Sequence, residues 1–263
     1  MKGDGCPAEG QPVFNTPDMK TMWWMMLALP LINVDWPAPR PRPVVVIELF
    51  TTQGCSSCPA ADELVREFVD MGVRDNQELY GLSFHVTYWD HLGWKDPYSS
   101  ATFTERQKLY QQLLSVPQLY TPQVIVNGRH ELVGSNPIAL RSAIDAAMRE
   151  TPRYEIKARA LATPTAAEVQ YTLQRAPGDA VVTVALVDKE RRNYVPRGEN
   201  KGLTLVHHDV VRALVVQEAA VDGVVRLELP ADFNTGNSAV ILYVQQRRTM
   251  KVLGATKVAI GEK

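Results

Sequence analysis

Two cysteines stand where a strand pattern changes into a helix pattern, and this junction restricts the fold strongly. The run Val44–Phe50 (VVVIELF) is β-branched and apolar apart from one glutamate, as in a buried strand. After Cys55 and Cys58, apolar residues recur at helical spacing up to Val69. Pro59 lies near the predicted helix start, where proline is tolerated. A buried strand followed at once by a helix indicates an α/β sheet.

Further strands and helices are predicted up to residue 150. The patterns indicate a strand over 79–86, a helix over 98–115, a hairpin over 123–134 and a third helix over 136–148. The hairpin is indicated by Asn127-Gly128, because a tight turn needs positive φ angles. The order βαβαββα predicts a small α/β sheet with two parallel strands, an antiparallel hairpin and helices on both faces.

The character of the sequence changes at Thr151-Pro152. Several segments between residues 154 and 246 alternate in polarity or are rich in β-branched residues, and none has a convincing helical period. Six to eight short strands are expected, which is typical of an antiparallel sandwich. We therefore predict an α/β domain over 44–150 and an all-β, sandwich-like domain over 151–263.

The segment over residues 1–43 is predicted to be a leader and linker. Met19 begins a stretch with one lysine and then an apolar run from about Met22 to Ile32. The run is too short to span a membrane and is typical of a signal peptide, and the Pro-rich spacer 37–43 follows it. A buried or amphipathic helix is the alternative. We expect a periplasmic or secreted protein, because an oxidising compartment can maintain a disulfide.

Composition excludes several classes of partner. The formal net charge is −1 and there is no basic block, so nucleic acid and anionic membrane are poor candidates. No membrane contact is expected beyond an uncleaved leader. Of the three cysteines, Cys6 falls in the leader segment, so the chain has no disulfide scaffold.

The CxxC pair permits a metal clip, a structural disulfide or a redox pair. A zinc site needs about four ligands, and the chain has no second CxxC and no HxxxH pair. A disulfide that closes so short a loop constrains the unfolded chain little. A thiolate at a helix N-terminus is stabilised by the helix dipole. We therefore favour a redox pair, in which an exposed Cys55 attacks and Cys58 resolves the mixed disulfide.

Two alternatives to redox chemistry stay open. His85 ends the second predicted strand and would join Cys55 and Cys58 in a Cys₂His set suited to Cu(I), as in a copper-binding protein or chaperone. The other alternative is a non-catalytic interaction protein in which the CxxC is structural.

The loop after the second strand, 85–97, is predicted to lie beside the cysteines. In an open α/β sheet, ligands bind outside the carboxyl ends of the parallel strands. Tyr88, Trp89 and Trp94 from this loop either form an apolar rim for a substrate or anchor the loop to the core.

Glu48 and Asp90 are candidates for tuning the thiols. A carboxylate buried near Cys58 can accept the proton of the resolving thiol. Glu48 lies in the first strand and is alternatively a solvated or salt-bridged residue. In the second half, the polar segment 195–202 reads as a long loop that could lie against the first domain and restrict access to Cys55.

Thr121-Pro122 stands directly before the third predicted strand. Together with the strand–CxxC–helix junction, this arrangement resembles the thioredoxin fold. The resemblance implies that Pro122 is cis and packs beside the CxxC, with the Thr121 backbone available to pair with an extended substrate. An ordinary trans proline at a strand start is the alternative. The implied partners are protein or small-molecule thiols and disulfides, and no organic cofactor is implied.

A narrower resemblance covers about residues 44–260. The segments that carry it are ELFTTQGCSSCPAAD, YWDHLGWKDP, FTERQKLY, YTPQVIVNG and RGENKGLTLVHHDVVRAL. They resemble an uncharacterised family of secreted bacterial proteins with a thioredoxin-like front half and a β-rich back half. Ser56-Ser57 replaces the Gly-Pro usual in thioredoxin, and no tryptophan precedes Cys55. The predicted function is that of an exported thiol–disulfide oxidoreductase.

Overall fold

The first half of the chain forms strands flanked by three helices. The computed structural model describes residues 41–262, so the predicted leader up to residue 40, with Cys6, lies outside the described residues. The elements are β1 (Val44–Thr51), α1 (Cys58–Arg74), β2 (Glu78–His85), α2 (Ala101–Leu113), β3 (Gln123–Val126), β4 (His130–Val133) and α3 (Pro137–Met148). The predicted order of strands and helices is confirmed over this stretch. A short 3₁₀ helix, Asp90–Leu92, is added in the loop after β2.

The second half consists of seven strands. They are β5 (Ile156–Ala162), β6 (Ala166–Leu173), β7 (Ala180–Tyr194), β8 (Thr204–Glu218), β9 (Asp222–Glu228), β10 (Ser238–Gln246) and β11 (Val252–Glu262). Their number lies within the predicted range. β7 and β8 have 15 residues each and are longer than predicted. β11 was not among the predicted segments.

All eleven strands of residues 41–262 belong to one mixed sheet, in the order β4-β3-β1-β2-β8-β7-β10-β11-β5-β6-β9. β1 is parallel to β2 and antiparallel to β3. The halves meet where β2 pairs with β8 at Ser83 and Val210, and the Ser83 hydroxyl donates to the His208 carbonyl at 2.8 Å. The fold is thus a β-rich mixed sheet with a few helices. The division into two domains at residue 150 stays a prediction.

Alternation along β1 separates two sides of the sheet. Ile47 and Leu49 pack with α1 and α3, whereas Phe50 packs with α2. The apolar residues packed around α2, which we call the α2 cluster, continue into the second half through β10 and β11. There Tyr243 is fully buried. A third apolar cluster joins β5, β6 and β9 to β7 and β10. Among the described residues, no helix combines the length and apolarity needed to cross a membrane.

Candidate functional site

Cys55 and Cys58 are disulfide-bonded at the start of α1. Cys58 is the first residue of the helix, and Ser57 is its N-cap. Cys55 is 2% exposed and Cys58 is fully buried, while Ser56 and Ser57 are exposed. The predicted position of the pair at a strand–helix junction is confirmed. The predicted exposure of Cys55 is wrong, because residues of the second half cover the disulfide.

The segment before β3 lies against Cys55. The Sγ atom of Cys55 is 3.8 Å from the Thr121 carbonyl oxygen and 3.3 Å from the Ser57 hydroxyl. The peptide bond between Thr121 and Pro122 is cis, as the resemblance implied. Pro122 is buried and Thr121 is half-buried. The structure therefore brings together the two segments that the sequence singled out.

A loop from the second half covers the CxxC. We call residues 195–203, between β7 and β8, the strap. The buried Asn200 donates from Nδ2 to the carbonyl oxygens of Gln53 and Cys55, at 3.0 and 2.8 Å. Glu199 Oε2 accepts the backbone N–H of Ser56 at 2.9 Å. The predicted contact between this segment and the first half is confirmed, and it places the strap over the disulfide.

The strap is held in shape by its own backbone. The N–H of Val195 donates to the Leu203 carbonyl at 2.9 Å, and the N–H of Gly202 donates to the Val195 carbonyl at 2.8 Å. Gly198 and Gly202 have φ angles of 84° and 86°, a region that favours glycine. These bonds make the strap a fixed cover over the CxxC.

A buried carboxylate lies on the same helix face as Cys58. Asp62 follows Cys58 by four residues in α1, and side chains at this spacing are neighbours on a helix surface. Its Oδ2 is 3.0 Å from Nδ1 of His207 in β8, and both side chains are almost fully buried. Among residues 41–262, no hydrogen-bond partner reaches Asp62 Oδ1.

The hydrogen bonds around Gln53 determine which ring nitrogen of His207 carries the proton. The indole N–H of Trp94 can only donate, and it donates to Gln53 Oε1 at 2.9 Å. The Gln53 amide nitrogen therefore faces His207 Nε2, 3.3 Å away, and that ring nitrogen must accept. The proton is assigned to Nδ1, which donates to Asp62. His207 lies within β8 of the second half, and this bond joins it to α1 of the first half.

Sequence reasoning missed Asp62, although a signal was present. Positions 58, 61, 62, 65, 68 and 69 form the buried face of α1, and Asp62 is the charged residue on that face. A carboxylate on an otherwise apolar helix face needs a partner. The partner is His207, which is 145 positions away.

His85 and Asp96 form a second buried pair beside the first. Nδ1 of His85 is 2.7 Å from Asp96 Oδ2, which also accepts the backbone N–H of Gln53 at 2.8 Å. Burial alone would raise the pKa of Asp96, but the charge and hydrogen bond of His85, with two backbone N–H donors, lower it to about 2. Burial lowers the pKa of His85, but Asp96 outweighs this effect and raises it above its ordinary value.

The copper set predicted from His85 is not assembled. The His85 ring packs edge-on against the His207 ring with centroids 4.7 Å apart, and its Nε2 has no partner among the described residues. Within residues 41–262, no three His, Cys, Asp or Glu side chains are placed to share a metal ion. His85 lies at the end of β2 and pairs with Asp96 in the loop that follows this strand.

The aromatic residues of the 85–97 loop contact other parts of the protein, and their role as a substrate rim stays a prediction. Trp94 anchors the loop through its bond to Gln53. Tyr88 and Trp89 are half-buried against the α2 cluster, and Trp89 closely approaches Gly54. The Tyr88 hydroxyl and the Trp89 indole nitrogen are buried and lack partners within the described chain. Burial raises the pKa of Tyr88 to about 12.

Glu48 and Asp90 do not tune the thiols as predicted. Glu48 lies on the α2 side of β1, away from α1, and is fully buried in an ion pair with Arg106, at 2.6 Å from Nε. The alternative of a salt-bridged residue is therefore correct. Asp90 accepts the backbone N–H of Asp96 at 3.2 Å and the Ser99 hydroxyl at 2.8 Å, so both its oxygens serve the loop itself.

Comparison with known proteins gives a family and related structures. The model of the family described as "Protein of unknown function (DUF1223)" matches residues 46–245. A crystal structure of an Agrobacterium tumefaciens protein is 28% identical, with a TM-score of 0.60, and covers 84% of this chain and 96% of its own. A domain of the outer membrane lipoprotein Omp28 from Porphyromonas gingivalis is 15% identical, with a TM-score of 0.28, over 43% of this chain and 91% of its own. No curated protein matches this chain.

Proposed function

This chain belongs to that family of unknown function, and we propose that it is a thiol–disulfide oxidoreductase acting through Cys55 and Cys58. One observation carries the proposal: the disulfide lies at the N-terminus of α1 with Cys55 Sγ 3.8 Å from the Thr121 carbonyl. Helix N–H groups stabilise a thiolate at this place, and the Thr121 carbonyl beside it is a hydrogen-bond acceptor for a substrate chain.

The reaction is a two-step exchange. A substrate thiolate attacks Cys55 Sγ, the bond to Cys58 breaks, and Cys58 leaves with the electron pair and takes up a proton. A second substrate thiolate then attacks the substrate sulfur of the mixed disulfide and releases Cys55. Two thiols are thus oxidised to one disulfide while the protein disulfide is reduced to two thiols. The reverse sequence reduces a substrate disulfide.

Asp62 is the proposed proton carrier for Cys58. It replaces Glu48 in the role that the sequence assigned to a buried acid. Its spacing from Cys58, its burial and its unpartnered Oδ1 support this role, while the His207 Nδ1–H holds Oδ2. His207 is a positioning residue, because it acts through Asp62.

We interpret residues 44–150 as a thioredoxin-like domain and the second half as a sandwich-like domain. The order βαβαββα and the apolar cluster that joins β5, β6 and β9 to β7 and β10 support these interpretations. The signal-like segment after Met19 supports a periplasmic or secreted location, where a disulfide persists.

The proposal is tested by equilibrating the protein in glutathione buffers of graded redox potential and counting trapped thiols. A reversible two-electron transition at a defined potential is expected, and its value distinguishes an oxidant of thiols from a reductant. The matched control is Cys58→Ser, which should retain glutathione on Cys55 as a stable mixed disulfide. A wild-type disulfide that stays oxidised throughout would support a structural role instead.

A further inference from the structure

The strap places a carboxylate beside the disulfide. Glu199 accepts the N–H of Ser56, the residue that follows Cys55, and this hydrogen bond lowers the pKa of Glu199. The side chain is exposed, and no charged group of the described residues contributes to the shift. A negative charge therefore stands against the residue that follows Cys55.

The strap also leaves a restricted approach to Cys55. Asn200 is buried against the carbonyls of Gln53 and Cys55, so that side is closed. Ser57 is exposed and Thr121 is half-buried, and both contact Cys55 Sγ. Of these two neighbours Ser57 is the exposed one, and it directly follows Ser56, whose N–H Glu199 already occupies.

We propose that Glu199 determines specificity by slowing the attack of anionic thiols, so that thiols or disulfides with neutral or cationic groups beside the sulfur are the preferred substrates. The inference rests on the proposed function and narrows its substrate class. Backbone N–H groups at a helix start attract anions. Here the resident carboxylate uses one of them and repels a second anion.

Two small thiols of opposite charge test this inference. Cysteamine carries an ammonium group and 3-mercaptopropionate carries a carboxylate, and each reduces the disulfide by the same attack on Cys55 Sγ with departure of Cys58. The second-order rate constants are measured on wild type and on Glu199→Gln, at low salt and at 1 M salt. Gln keeps an acceptor for the Ser56 N–H, so the strap is retained. The ratio of the two rate constants is compared between wild type and variant, so the different intrinsic reactivities of the two thiols cancel.

The ratio of the cysteamine rate to the mercaptopropionate rate should fall about threefold to tenfold in Glu199→Gln at low salt. The fall should disappear at 1 M salt, where the Debye length is about 3 Å. Glu199→Lys should move the ratio further in the same direction. Glu63→Gln, at an exposed acid paired with Arg66 on α1, is the matched control and should leave the ratio unchanged.

An unchanged ratio in Glu199→Gln, or a change equally large at 1 M salt, would overturn the inference and leave the proposed function standing. A disulfide that neither thiol reduces in wild type, together with a pair that stays oxidised in glutathione buffers, would overturn both. The two failures are therefore distinguishable.

Discussion

Two buried polar clusters connect the halves of this protein, and they differ in how completely their atoms are paired. The first, which we call the arginine cluster, consists of Glu48, Arg106, Tyr110, Tyr243 and Gln245. None of its buried side-chain atoms lacks a hydrogen-bond partner. The second, the histidine cluster, consists of Asp62, His85, Asp96 and His207 beside the disulfide. Asp62 Oδ1 and His85 Nε2 in this cluster have no partner within the described residues.

This difference in pairing suggests that the arginine cluster stabilises the fold and that the histidine cluster takes part in the proposed reaction. A fully paired network in a buried site fixes one arrangement of the groups around it. An unpaired buried polar atom costs stability, so its presence needs an explanation. In the histidine cluster the carboxylate oxygen that lacks a partner within residues 41–262 belongs to the helix face of Cys58, where the proposed reaction takes up and releases a proton. We therefore expect the arginine cluster to control stability and the histidine cluster to control reactivity.

Arg106→Met should have the largest effect on stability. It leaves Glu48 buried without its cation, and breaking a buried ion pair in this way costs about 3–5 kcal/mol. The free energy of unfolding is measured by urea titration. The double variant Glu48→Leu with Arg106→Met should recover most of the loss, because both charges are gone. A loss below about 1 kcal/mol for Arg106→Met alone would show that the arginine cluster is not structural.

The acid stability of the protein should depend on Asp96. Its pKa falls from 3.8 to about 2 in the folded chain. A carboxylate with a lowered pKa stabilises the fold above its unfolded value, and this contribution is lost as the pH falls from about 4 toward 2. The difference corresponds to about 2 kcal/mol. Urea titrations at pH 2, 3, 4 and 6 should show this loss in wild type and a flatter profile in Asp96→Asn. Equal profiles would mean that the pair with His85 is not charged.

His85 makes stability depend on pH in the opposite direction, because its contribution is lost as the pH rises. His85 has a raised pKa in the folded chain, so its charge stabilises the fold below its unfolded pKa of about 6.5. This contribution should be lost as the pH rises through the folded pKa. His85→Gln should remove the dependence that begins above about pH 6.5, as measured by urea titration at increasing pH.

Asp62→Asn should have the smallest effect on stability and a large effect on rate. Asparagine keeps an acceptor for the His207 Nδ1–H, so the free energy of unfolding should change by about 1 kcal/mol. Reduction of the disulfide by dithiothreitol should slow about 100-fold, because Cys58 loses its proton carrier. His207, His85 and Gln53 also surround this site, so the rate is measured from pH 5 to 9. Dithiothreitol reacts as its thiolate, so each rate is divided by the thiolate fraction at that pH, and the slowing of Asp62→Asn should remain after this division.

A control variant shows whether the slower reduction is specific to Asp62 or follows the loss of any nearby carboxylate. Asp90→Asn changes an acid of the neighbouring loop that is bonded within the loop, and its rate should match that of wild type. If Asp62→Asn reacts at the wild-type rate with the same pH profile, the histidine cluster is structural and the comparison between the clusters fails.

The strands and helices of the first half follow from local sequence patterns. The junction of β1 and α1, the hairpin at Asn127-Gly128 and the N-terminal Pro137 of α3 are all signals that lie within a few residues of what they specify. The position of Thr121 beside Cys55 followed from the resemblance. β11 escaped prediction because its sequence, VLGATKVAIGE, contains two glycines and little alternation.

The cover over the disulfide depends on long-range pairing, which a single sequence does not specify. The acid beside Cys58 was sought on β1, but neighbouring strand positions face opposite sides, and Glu48 faces α2. The residue that meets the requirement, Asp62, is recognisable only once His207 is known to lie opposite it. That meeting requires β8 to pair with β2, which involves residues more than a hundred positions apart.

The strap lies between β7 and β8, late in the chain, so the two cysteines are synthesised long before the residues that cover them. Cys55 and Cys58 are three positions apart, whereas the bond from Asn200 to Cys55 spans 145 positions. Contacts between near residues form before contacts between distant ones, because closing a long loop costs more entropy. While the chain is still emerging, the thiols are present and the strap is not. Under the proposed function, large oxidising or reducing partners could therefore reach the thiols of the growing chain, whereas the strap covers the disulfide of the finished protein.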